Sequence, residues 1–147
     1  MVGGKENTIM TLRSVFGAAC AAIAIAAAMP VAAHDPGETV TPHFEHAIPN
    51  IPGKSLVAVV VDYAPGGASP AHLHSNSAFI FAYVVSGAIE SQVNDGPKRV
   101  YRAGESWYEN PGSRHNVSRN ASATESAKLL AVFVADTGDK ALTTPVE

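Results

Sequence analysis

Phe79-Ile80-Phe81-Ala82-Tyr83-Val84-Val85-Ser86-Gly87-Ala88-Ile89-Glu90-Ser91-Gln92-Val93-Asn94-Asp95-Gly96 reads as two short apolar runs, each closed by a turn signal. The first run is rich in aromatic and β-branched residues and ends at Ser86-Gly87. The second is shorter and ends at Asn94-Asp95-Gly96, a tripeptide suited to the positive backbone angles of a tight turn. Neither run carries a 3.6-residue period, so both read as strands. The same texture extends in both directions. Strands are expected over 55–63, 71–74, 79–85, 88–93, 99–101, 106–109, 115–119 and 128–135, with further turns at Pro65-Gly66-Gly67, Ala103-Gly104 and Asn110-Pro111-Gly112. Many short strands at close spacing mean a sandwich or a barrel, so the chain is expected to be all-β.

The 147 residues suit one domain, and the formal net charge is −3 with no run of five like charges. That balance argues against a nucleic-acid or membrane-surface partner. Residues 1–33 are expected to form a signal peptide. Lys5 and Arg13 precede an almost unbroken apolar run from Val15 to Ala28, Pro30 breaks it, and Val31-Ala32-Ala33 supplies the small residues of a cleavage site. The run is too short for a permanent membrane anchor of roughly 20 residues. A start at Met10 would keep Arg13 ahead of the run, so Met1 and Met10 both remain open as start sites. Cleavage after Ala33 removes Lys5, Glu6 and Arg13, taking the charge from −3 to −4, and carries off Cys20, the single cysteine. The mature protein is then expected to be periplasmic or secreted and without a thiol, which excludes cysteine nucleophiles and zinc-cysteine sites. Residues 34–52 read as a polar, proline-containing arm on the surface or against the barrel edge, and residues 53–147 as the barrel domain.

Three histidines carry the chemistry. On a strand, positions i and i+2 share a face, so His72 and His74 can approach one ion while Leu73 points away. His115 follows the Pro111-Gly112 turn and enters another strand. If the two strands lie side by side, three imidazoles converge. Iron, zinc, copper, nickel and manganese all accept nitrogen donors at about 2 Å, so one divalent transition metal of open identity is expected.

The segment from Gly66 to His74 is Gly, five residues, then His-x-His, and resembles the opening of the first cupin motif; Phe79 to Gly87 looks like its end. Gly104-Glu105-Ser106-Trp107-Tyr108-Glu109-Asn110-Pro111-Gly112-Ser113-Arg114-His115 resembles the second motif, with Asn110 where a proline usually stands and the later asparagine one position late, at Asn120. The resemblance implies a double-stranded β-helix, or jelly-roll, barrel with a metal at its centre, often in homodimers. One departure stands out. The family usually supplies a glutamate shortly after the second histidine, yet the corresponding positions here hold Ala78, Phe79 or Ile80. A centre of three neutral imidazoles and no carboxylate would leave a divalent ion its full charge. It would polarise bound water strongly and hold hard ions such as manganese less well.

Glu109 is the acidic residue nearest the second histidine motif that strand parity can aim at the site. If Trp107 faces inward, Glu109 does too and can serve as a proton shuttle or a distant fourth ligand; if Tyr108 faces inward, Glu109 is solvated. Tyr83 has the opposite parity to Ile80 and is expected in core packing or a barrel-to-barrel contact. His34, His43 and His46 are expected on a solvated arm. With Ile80, Ala82 and Val84 lining an apolar interior, the expected function is a metal-dependent enzyme on a small molecule, of dioxygenase-like, lyase or hydrolytic type. The alternative is a non-catalytic binder of a metal or small ligand.

Overall fold

The computed structural model of the chain describes residues 37–146. The expected signal peptide, Cys20 and His34 fall outside that range. Within it the chain is all-β. The strands are β1 (Glu38–Ala47), β2 (Lys54–Tyr63), β3 (Ala68–Ser69), β4 (His72–His74), β5 (Phe79–Ser86), β6 (Ala88–Val93), β7 (Arg99–Arg102), β8 (Ser106–Glu109), β9 (Arg114–Asn120), β10 (Ala127–Asp136) and β11 (Thr143–Pro145). They form two sheets of antiparallel pairs, ordered β1-β2-β10-β5-β8 and β11-β4-β9-β6-β7, with β3 beside β9. This is the double-stranded β-helix expected from the sequence.

Alternation decides which residues fill the space between the sheets. Along β10, Ala127, Leu129, Ala131, Phe133 and Ala135 are buried, and along β5 so are Ile80, Ala82 and Val84. The register sets Ala131 opposite Ala82 and Phe133 opposite Ile80. Burying Phe133 or Ile80 contributes about 1.5–3 kcal/mol each by apolar area alone. The opposite parity of β5 is left outside: Phe79, Phe81, Tyr83 and Val85 are exposed. Tyr83 therefore takes no part in the core.

The segment 34–52, expected as a polar arm on the surface or against the barrel edge, includes an edge strand of the sheet. β1 pairs with β2 along its length, from Glu38 opposite Tyr63 to Ala47 opposite Ser55, so the sheet begins at Glu38. Edge position explains the missing signal. Nearly every β1 residue is exposed, so no alternation is written into it, and Pro42, which cannot donate to a ladder, sits at a register shift before Phe44. His43 and His46 lie on this exposed strand, outside the cluster of His72, His74 and His115.

Candidate metal centre

The site is built by register. β4 and β9 pair so that His72 stands directly opposite His115, and His74 follows two residues on, on the same face. The ring centroids are 4.8 Å apart for His72 and His74, 5.2 Å for His72 and His115, and 6.0 Å for His74 and His115. One ligating atom from each ring falls within 4.8 Å of the others. His74 and His115 are buried and His72 is half-buried. The structure thus brings the three predicted histidines together.

Glu109 joins them, and the parity question is settled: Trp107 and Glu109 face inward, while Tyr108 is 63% exposed. Only 2% of Glu109 is accessible. Its Oε1 accepts the Trp107 indole N–H at 3.1 Å and lies 3.3 Å from His115 Nδ1. Its Oε2 lies 3.0 Å from His74 Nε2, close enough for an ion pair, although the angle makes no hydrogen bond. The expectation of a centre without a neighbouring carboxylate is therefore overturned. Glu109 is remote in sequence from the position where the family's glutamate was sought, but β8 pairs with β5 and sets Glu109 directly opposite Ile80.

Electrostatics favour a cation here. Burial pushes the His115 imidazole down to about 4 and that of His72 below its usual range, so both rings are neutral near pH 7. Burial pushes the Glu109 carboxyl up, but the contacts with His74, His115 and the Trp107 N–H outweigh it and hold it below the usual range. A buried anion beside the neutral rings of His72 and His115 suits a divalent cation. Both ring nitrogens of His74, together with Glu109 Oε2, are buried without a hydrogen-bond partner. Such groups cost about 1–3 kcal/mol each when left unpaired, and one ion would satisfy Glu109 Oε2 and one of the two His74 nitrogens. The His72 Nδ1–H donates to the Pro70 carbonyl at 2.9 Å, which leaves Nε2 bare for a metal.

Sequence reading missed two polar groups. Ser91 Oγ lies 2.9 Å from His115 Nε2 and fixes that ring. The signal was a hydroxyl at an inward position between Ile89 and Val93. The Tyr63 hydroxyl is hydrogen-bonded to Ser69 at 2.7 Å and Ser118 at 2.8 Å, and Ser69 donates to Glu38. Asn120, one place late for the second motif, is buried and structural: its amide donates to the carbonyls of Ala64 and Glu125.

A cavity of about 360 Å³ opens on the centre. His72, His74, Glu109 and His115 line it together with apolar side chains such as Val59, Ile80, Leu129 and Phe133, and with Tyr63, Ser69, Ser118 and Glu38. Among the described residues, neither lysine nor arginine does.

A family profile described as the cupin domain matches residues 59–133, half of the chain. The chain belongs to the cupin family. Among solved structures, this cupin is similar to recombinant oxalate oxidase in complex with glycolate, with 26% identity over 70% of this chain and a TM-score of 0.55. It spans about half of that protein, 53% of its length. KdgF from a Halomonas species is 20% identical, with 72% of this cupin and 86% of that chain covered at a TM-score of 0.56. An uncharacterized conserved protein with a double-stranded β-helix domain from Klebsiella pneumoniae is 21% identical, with 77% and 87% covered at a TM-score of 0.59. The last two likenesses show the fold. No curated protein matches the cupin by sequence.

Proposed function

We propose that this cupin is an exported, metal-dependent enzyme acting on a small organic acid. The observation that carries the proposal is the convergence of His72, His74 and His115 at the wall of a cavity of about 360 Å³ that is otherwise largely apolar. That volume lies at the lower end of small-molecule sites. The substrate class follows from charge. Two rings held neutral and one carboxylate, with a divalent ion, sum to a single positive charge at the centre. Among the described residues no lysine or arginine lines the cavity, so a substrate carboxylate would meet its positive charge at that centre. Glu38 adds a negative charge to the lining, but it is half-buried and engaged by Ser69. The likeness to an oxalate oxidase holding glycolate supports a small-acid ligand. Export is proposed from the residues 1–33 described above, and homodimers from the family resemblance.

When bound, the ion would supply Lewis acidity, polarising an oxygen of the substrate. The protein's residues supply the rest. Val59, Ile80, Leu129 and Phe133 exclude water, which strengthens every charge interaction inside. Pro70 and Ser91 orient His72 and His115. Tyr63, Ser69 and Ser118 offer hydroxyls to the polar part of a substrate in the same cavity.

Protein recovered from its native compartment should begin at His34 and carry about one transition metal per chain. The protein reloaded with iron, manganese or zinc should consume a member of a panel of small hydroxy-, keto- and dicarboxylic acids, and His74→Ala should lose both metal and turnover. A chain that takes up no metal when challenged contradicts the proposal, and loading without turnover of any acid would make the protein a binder instead.

A further inference from the structure

We infer that Glu109 is itself a ligand of the metal, reached from the strand next to the one the family uses. The inference rests on the metal centre proposed above. Counting back from Gly87, the sequence position of the expected carboxylate holds Ile80. Ile80 is 1% exposed and cannot ligate, but its cross-strand partner is Glu109, 2% exposed and aimed into the same space. The carboxylate that the family motif would put on β5 is absent, and one stands on β8 at the directly paired position. Side chains so paired have Cβ atoms about 4.5–5.5 Å apart, a span that the longer reach of a glutamate can make up.

Two distances favour ligation. Donor atoms about 2.1 Å from one ion, at angles between a right angle and the tetrahedral value, lie roughly 3.0–3.4 Å from each other. Glu109 Oε2 stands 3.0 Å from His74 Nε2, and Oε1 stands 3.3 Å from His115 Nδ1. Neither contact has the alignment of a strict hydrogen bond, although the one with His74 is close enough to hold the carboxylate charged. Glu109 falls outside the three-histidine set whose donors lie within 4.8 Å of one another. Sharing an ion with His72 therefore requires a small rotation, and His72 is the most exposed ring of the three. The alternative role expected from sequence, a proton shuttle, fits less well. Oε2 is sealed from solvent and faces only the ring nitrogen of His74, itself a candidate ligand, and Oε1 is tied to the Trp107 N–H. Trp107 is the positioning residue: its indole fixes the carboxylate from behind, as outer partners do around metal ligands.

The test is the affinity of the purified chain for zinc alone, measured by competition with a chelator at neutral pH. Glu109→Gln, similar in size and still able to accept from Trp107, should bind at least about 100-fold more weakly, beyond the 10–100-fold typical of losing an outer partner. The exchange variant carrying Ile80→Glu and Glu109→Ile should return to within about tenfold of the parent, because the carboxylate is restored one strand over. If Glu109→Gln fails to fold, the exchange variant alone decides: tight zinc binding supports the inference and its loss overturns it. A folded Glu109→Gln binding as tightly as the parent also overturns it, provided His74→Ala has lost zinc. Should His74→Ala keep its zinc, the centre itself is wrong, and that failure is separately visible.

Discussion

His115 is neutral because it is buried, and its imidazole has to reach about pH 4 before it protonates, against 6.5 when free. Between those values the unfolded chain binds a proton that the folded chain refuses, so stability falls as pH falls. The metal-free protein should therefore keep its full stability above about pH 6.5 and lose about 3 kcal/mol from this one ring on the way to pH 4. His72 and Glu109, both lowered, act with the same sign, Glu109 at more acidic pH. Denaturant titrations of chelator-treated protein at pH 7.5 and pH 5 measure the slope. A flat profile would mean the ring is hydrated or already charged. At this scale the three histidines were legible because spacing alone puts residues i and i+2 on one face. Glu109 was legible only as a conditional, since the parity of β8 turns on whether Trp107 or Tyr108 is the buried aromatic.

Two elements deliver His115 to its place: the pairing of β9 with β4, and the turn at Asn110-Pro111-Gly112. Gly112 adopts φ +73°, and a Cβ there would approach Asn76 Oδ1 to 2.5 Å. Its N–H donates to Ser75 at 3.1 Å and the neighbouring Ser113 carbonyl accepts from His74 at 2.9 Å, so the turn locks the two histidine-bearing segments together. Gly112→Ala should cost about 1–2 kcal/mol from the left-handed backbone alone, with the Asn76 side chain able to swing aside. It should also weaken metal binding. Equal stability and affinity in that variant would remove the turn from the account. The eight strands with an apolar signal were all legible to within a residue or so of their ends. β1, β3 and β11 were not. β1 lacks alternation because nearly all of it is exposed, and β3 and β11, with two and three residues, are too short to show a period.

At the scale of the whole molecule, closing two sheets on each other joins residues far apart in the chain around one cavity. The expectation of a carboxylate-free centre failed at this scale: strand order and register, which no local spacing reveals, put Glu109 opposite Ile80. The same closure makes the site a cavity lined mainly by apolar walls, with a few polar groups and, among the described residues, no lysine or arginine, so under the proposed function a bound ion would dominate recognition. X-ray absorption on the zinc-loaded protein tests the central claim most directly, because it counts the imidazoles bound to the ion. Three, at about 2.0–2.1 Å, is the predicted result. One or none would contradict it, since the rings of His72, His74 and His115 would then not share a metal.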